Sequence, residues 1–222
     1  MAEHKKLDVK ERLDNYRSHV TEMSREASYD YCYGYFQTHR HYLAANMEIS
    51  CLQLWSYLAS WGMLRGSSAL LNYCNMKVLS EIITYLDRLT DDYWELDLPD
   101  YKDEEHREKA IKVYKEIKTK LSHPTETLIT KIMMATIGCV PALDGYFAEF
   151  IRDEFKEEVP YCGFRSVTHR ALKYFNTFYV ANQNDFVSYQ QKCRVVDFNG
   201  NPTNFFYTKA KLLDMYGWNK AR

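Results

Sequence analysis

The sequence predicts an all-α protein, a single globular multi-helix domain over residues 1–222 with at most one short β-hairpin near 194–201. Hydrophobic residues recur at three- and four-residue steps through nearly the whole chain, the period of helices with one buried face. Only 8 Gly and 5 Pro occur in 222 residues, too few for a turn-rich sandwich or a Gly-rich linker. Only the segment 194–198, ahead of Asn199-Gly200-Asn201, reads as a strand running into a turn.

Val9, Leu13, Tyr16, Val20 and Met23 mark a first amphipathic helix. Aromatics at 29, 31, 33, 35 and 36 follow. Their spacing of two suits a strand, but the flanks are helical, and the stretch 29–42 is assigned to helix. Asn46 is placed to cap a helix carrying Ile49, Leu52, Leu54, Trp55, Leu58, Trp61 and Leu64. Apolar on most sides, this helix is expected at the centre of the domain. Gly62 and Gly66 punctuate its end, with Gly66 the natural C-cap. Further helices are predicted at 78–89, 104–121, 125–137, 143–157, 166–179 and 202–216. The acidic stretch 91–103, with Pro99 inside it, reads as a loop.

Composition narrows the classes of function. The 29 Lys+Arg and 30 Asp+Glu leave a net charge of −1, and 46% of the residues are hydrophobic, which argues against disorder. The start, Met1-Ala2-Glu3-His4-Lys5-Lys6, has no apolar signal region, and no apolar run is long enough for a membrane span. Six scattered cysteines without a C-x-x-C pair suit reduced thiols, so a cytoplasmic protein that contacts no membrane is expected. His39-Arg40-His41 places its imidazoles on different helix faces, and neither a Walker A nor a G-x-G-x-x-G segment is present. No metal and no cofactor are expected. Residues 160–222 carry nine basic against three acidic side chains, the kind of footprint that would meet the phosphates of double-stranded DNA. Oligomeric state is left open.

The candidate chemistry lies in Thr130-Lys131, the apolar run 132–137, Gly138, Val140-Pro141 and Asp144. Thr125 or Ser122 can cap the helix before it, Gly138 and Pro141 end that helix, and Asp144 falls where the next helix begins. A lysine in apolar surroundings is a usable amine, and a fixed carboxylate steadies developing positive charge. This segment resembles the catalytic segment of helix-hairpin-helix DNA glycosylases of the 8-oxoguanine type. The resemblance implies Lys131 as nucleophile towards a sugar's anomeric carbon and Asp144 as its electrostatic partner. The hairpin glycines of that family have no counterpart in Thr125-Glu126-Thr127-Leu128-Ile129. Tyr146 and Phe147, beside Asp144, are candidates to contact an extruded base, with Tyr174, Phe175 and Tyr207 as further aromatics. The segments Trp61-Gly62-Met63-Leu64-Arg65-Gly66-Ser67-Ser68 and 138–144 are also similar to segments of a bacterial all-helical family to which no activity attaches.

Three alternatives stand beside this reading. Thr127, Thr130, Lys131 and Met134 share one helix face, so Lys131 would simply point to water and Asp144 would simply cap a helix. Arg65, Ser67 and Ser68 would bind a phosphate or carboxylate in a non-enzymatic module, or the serines would start the next helix. Finally, Arg12 and His19, seven apart on the first helix, resemble the Arg-to-His motif of HEPN ribonucleases.

Overall fold

The computed structural model describes residues 9–66, 68–154 and 164–218. Among them the helices are α1 (Val9–Ser18), α2 (Ser28–His39), α3 (Met47–Ser60), α4 (Ala69–Tyr73), α5 (Ser80–Asp87), α6 (Asp91–Trp94), α7 (Glu104–Thr119), α8 (Glu126–Thr136), α9 (Gly145–Glu154), α10 (His169–Ala181), α11 (Gln183–Gln190) and α12 (Lys209–Trp218). Two strands, β1 (Arg194–Val196) and β2 (Pro202–Phe206), pair antiparallel with Arg194 opposite Phe206 and Val196 opposite Pro202. The architecture is all-α with one short hairpin. No helix among the described residues is long and apolar enough to cross a membrane.

One continuous cluster of buried side chains extends from Val9 to Tyr216. Its centre is not where the sequence suggests. The α3 helix leaves Ile49 and Leu52 exposed, whereas every residue of α8 from Leu128 to Thr136 and of α12 from Ala210 to Gly217 is buried. Two polar residues of α8, Thr130 and Thr136, are accommodated because their hydroxyls bond back to the carbonyls of Glu126 and Ile132.

Several local assignments are corrected. The α1 helix stops at Ser18, short of Val20 and Met23, and Met23 is exposed. Residues 202–206 form a strand rather than the start of a helix: Asp197 accepts N–H bonds from Asn199 and Asn201, and Gly200 takes a positive φ of 80°. These contacts close a tight turn that returns the chain antiparallel to β1, with Pro202 at the strand's first position, where no ladder donor is needed. The polar helix α11 has only Phe186 and Tyr189 buried, too sparse a pattern to register in the sequence. Residues 155–157, at the end of the expected 143–157 helix, lie outside the described residues.

The acidic stretch 91–103 is ordered as α6 and a 3-10 turn, Leu98–Lys102, because Asp97 caps two elements at once. Its carboxylate accepts from Leu98 N and, across the molecule, from Lys209 N at 2.8 Å and Ala210 N at 2.9 Å. That bond pair fixes the start of α12. Gly138 ends α8 with φ of 80°, and a Cβ there would fall 2.8 Å from both Thr208 and Tyr33. Glycine is therefore required both by its backbone and by its neighbours.

Asp30 of α2 is buried, and its Oδ1 has no hydrogen-bond partner among the described residues. Burial pushes its carboxyl up to about 6, against the pull of Tyr207 and Lys211. A carboxyl with a raised folded pKa favours the folded state while protonated, so its contribution is lost as pH rises from about 4 to about 6. Asp30→Asn is expected to match the wild type in melting temperature near pH 4. It is expected to gain on the wild type as pH rises, by about 3 kcal/mol above pH 6. Thermal melts across that range check this, and a constant difference would contradict it.

Candidate active site

Three chain segments converge on Lys131. The first is the end of α3, which closes in a Schellman motif: Gly62 N bonds Ala59 O, Met63 N bonds Leu58 O, and Gly62 has φ of 72°. The left-handed C-cap is Gly62, not Gly66. This geometry leaves the carbonyl of Trp61 pointing inward. Lys131 Nζ donates to that oxygen at 3.0 Å in a buried bond, a favoured placement for a cation at the negative end of a helix dipole. The same amine lies 5.6 Å from the Trp61 ring centroid.

The second segment is α8, whose Thr125 cap accepts from Leu128 N. Lys131 does not point to water: it is 5% exposed. The face shared by Thr127, Thr130, Lys131 and Met134 is covered by the turn that follows Gly138. Thr127 donates to Leu143 O, and Thr130 accepts from Leu143 N at 2.9 Å. The third segment is that turn itself, which delivers Asp144 to the start of α9. There Asp144 Oδ1 accepts from Phe147 N at 3.0 Å, the side-chain bond of an N-cap. Its other oxygen stands 3.8 Å from Lys131 Nζ.

Electrostatics push both partners towards their neutral forms. Burial lowers the Lys131 pKa below the ordinary lysine value, with Arg65 and Arg25 adding to the effect and Asp144 and Asp214 opposing it. Burial likewise raises Asp144, helped by the charge of Asp214 and opposed by the Phe147 N–H and by Lys131. A neutral amine here can still donate to the Trp61 carbonyl while presenting its lone pair.

The pair opens on a cavity of about 1140 Å³, somewhat larger than the usual ligand site. Trp61, Arg65, Ser68, Lys131, Asp144 and Tyr146 all line it, together with residues 122–125 ahead of α8. Arg65 is exposed on its rim, and Tyr146 is partly exposed with its ring 5.9 Å from that of Trp218. Two candidate segments far apart in sequence thus share one cavity.

Other candidates fall elsewhere. Ser68 lines the cavity, but its hydroxyl is engaged as the N-cap of α4, accepting from Leu70 N and donating to Met63 O. Ser67 lies outside the described residues. Phe147 is 2% exposed, packed edge-on to Phe150 and Phe175, and does not line the cavity. Its backbone N–H serves the site while its ring serves the core. Phe175 and Tyr207 are also buried. Within the basic segment 160–222, Lys211 is interior and paired to Asp214, and so is no phosphate contact. Arg165, Arg170, Lys173, Lys192 and Arg194 are exposed, none of them lining the cavity, and Lys220 and Arg222 lie outside the described residues. His19 sits in the turn beyond α1, exposed, while Arg12 lies 4.7 Å from the Tyr216 ring, so the two do not share a helix. Glu104 and Glu108 of α7 meet His169 at the protein surface, where a hydrogen bond of 2.8 Å joins His169 to Glu108.

Compared with protein-family models, curated proteins and solved structures, the chain matches none.

Asp144→Asn keeps an N-cap acceptor but removes the anion nearest the amine. The Lys131 titration, followed by NMR of isotope-labelled lysine, is expected to move further below the ordinary lysine value. An unchanged or upward midpoint would contradict this arrangement.

Proposed function

We propose that this protein is a DNA glycosylase-like enzyme acting on a modified or damaged base turned out of the double helix. The observation that carries the reading is the meeting of Lys131 Nζ with Asp144 Oδ2, 3.8 Å apart, beside a cavity of about 1140 Å³. In this reading the neutral Lys131 amine attacks the anomeric carbon of the sugar. The bond from that carbon to the base breaks, and its electron pair leaves with the base. The Asp144 carboxylate stabilises the positive charge that develops on the sugar and takes the proton released by the amine. Tyr146, at the cavity mouth, offers a ring on which the extruded base can stack. The exposed residues Arg165, Arg170, Lys173, Lys192 and Arg194 would meet DNA phosphates away from the cavity. The described cysteines, Cys32, Cys51, Cys74, Cys139 and Cys193, are free thiols, in keeping with a cytoplasmic setting.

A second reading is favoured by Arg65 on the cavity rim: capture of an anionic ligand without chemistry.

Borohydride trapping on duplex DNA bearing an abasic site separates the two. The enzyme reading predicts a covalent adduct, mapped by mass spectrometry to Lys131 and absent from Lys131→Gln. No adduct with folded protein, or an adduct that persists in Lys131→Gln, would contradict it.

A further inference from the structure

The α12 helix carries a charged pair where its surroundings call for apolar side chains. Lys211 and Asp214, one turn apart, are joined at 3.1 Å with side chains 2% and 11% exposed. Burying such a pair gains little or nothing over apolar residues of similar volume, so what the pair does to its neighbours is the informative question. Each member reaches one half of the site. Asp214 Oδ1 accepts from Ala142 N at 3.0 Å, two residues ahead of Asp144 in the same turn. The Lys211 amine lies 5.3 Å from the ring centroid of Trp61, the residue whose carbonyl holds Lys131.

We propose that Lys211 and Asp214 are positioning residues of the site. Asp214 anchors the turn that carries Asp144, and Lys211 seats the indole of the residue that holds the Lys131 amine. The inference rests on the reading of Lys131 as the working amine.

Asp214 also acts on the charge of that amine. Lys131 is faced by Asp144 from the turn, Asp214 from α12, Arg65 from the corner after α3 and Arg25 from the 3-10 turn before α2. Of these, the two carboxylates hold its proton on and the two guanidinium groups drive it off. Asp214 raises the Asp144 carboxyl as well. Lys211 is faced by Tyr16 of α1, by Tyr29 and Asp30 of α2 and by Asp214 on its own helix, and stays protonated among them. A single carboxylate therefore acts on both members of the catalytic pair through space while holding one of them through the backbone.

The test is the pH profile of Lys131 acylation, read peptide by peptide in the full chain by mass spectrometry, with exposed Lys192 as internal control. Asp214→Asn keeps an oxygen for the Ala142 N–H and removes the charge, so position and charge separate. The expected result is a lower Lys131 midpoint with an unchanged high-pH plateau, and acylation near pH 7 faster by about fivefold. The plateau reports accessibility, which a merely structural disturbance would alter. An unmoved Lys131 midpoint in folded Asp214→Asn would overturn the proposal. Should that variant not fold, Lys211→Met with Asp214→Ala leaves no lone buried charge but removes both the anchor at Ala142 N and the amine beside the Trp61 ring, and is expected to change the Lys131 midpoint or plateau; a profile unchanged in both overturns the proposal equally. The titration needs no DNA, so failure to trap an abasic site and failure of this inference are separate results.

Discussion

The bond from the Lys131 amine to the Trp61 carbonyl is the contact on which the site depends. A helix end leaves carbonyls without intrahelical partners, and a buried one must find a donor. Here the donor is a lysine 70 residues further along the chain. Satisfying the carbonyl draws α8 against the end of α3 and keeps the long Lys131 side chain extended inside the protein. Asp144 does the complementary service for α9, offering a carboxylate to the free N–H groups at its start. The two side chains meet because two helix termini of opposite polarity converge at one point. Each therefore has a structural duty and, beyond it, a charge directed at the other.

The turn between α8 and α9 keeps that meeting in register. Its backbone is held on several sides, by the hydroxyl of Tyr101 at Cys139 O, by Thr127 and Thr130 at Leu143, and by Asp214 at Ala142. Gly138 lets the chain turn under Tyr33 and Thr208 without a side chain in the way. Asp97 in turn fixes the start of α12, which brings Asp214 to its place. Position at the site is thus passed from one cap to the next, with Lys131 inside a helix and Asp144 at a helix start rather than on a free loop.

The sequence carried the helical class and the Lys131–Asp144 segment because both are local. Apolar periodicity, the Thr125 cap, the stop at Gly138 and the cap at Asp144 all follow from residues within a turn or two. The same holds for the turn at Asn199-Gly200-Asn201. What it did not carry is what depends on distant partners. The buried face of Lys131 looks like a solvent face, because two threonines and a lysine are polar until a turn folds over them. Lys211 counts as surface charge until Asp214 and the aromatic rings around it are known. Trp61 reads as a core residue, and the acceptor it contributes is a backbone oxygen, which no side-chain pattern reveals. Residues 91–103 read as a loop because Asp97 finds its other partners at positions 209 and 210. Phe147 shows the opposite limit: its neighbourhood to Asp144 was legible, but the side to which its ring turns was not.

The central claim is that Lys131 and Asp144 interact directly in the folded protein, and a double-mutant cycle measures that interaction with no assumption about substrate. Lys131→Met, Asp144→Asn and the combined variant are unfolded by denaturant alongside the wild type. The expected result is non-additive changes, with a coupling of about 1 kcal/mol in favour of the native pair. Additive changes within error would mean that the two side chains cap their own helices without acting on each other, and would contradict it.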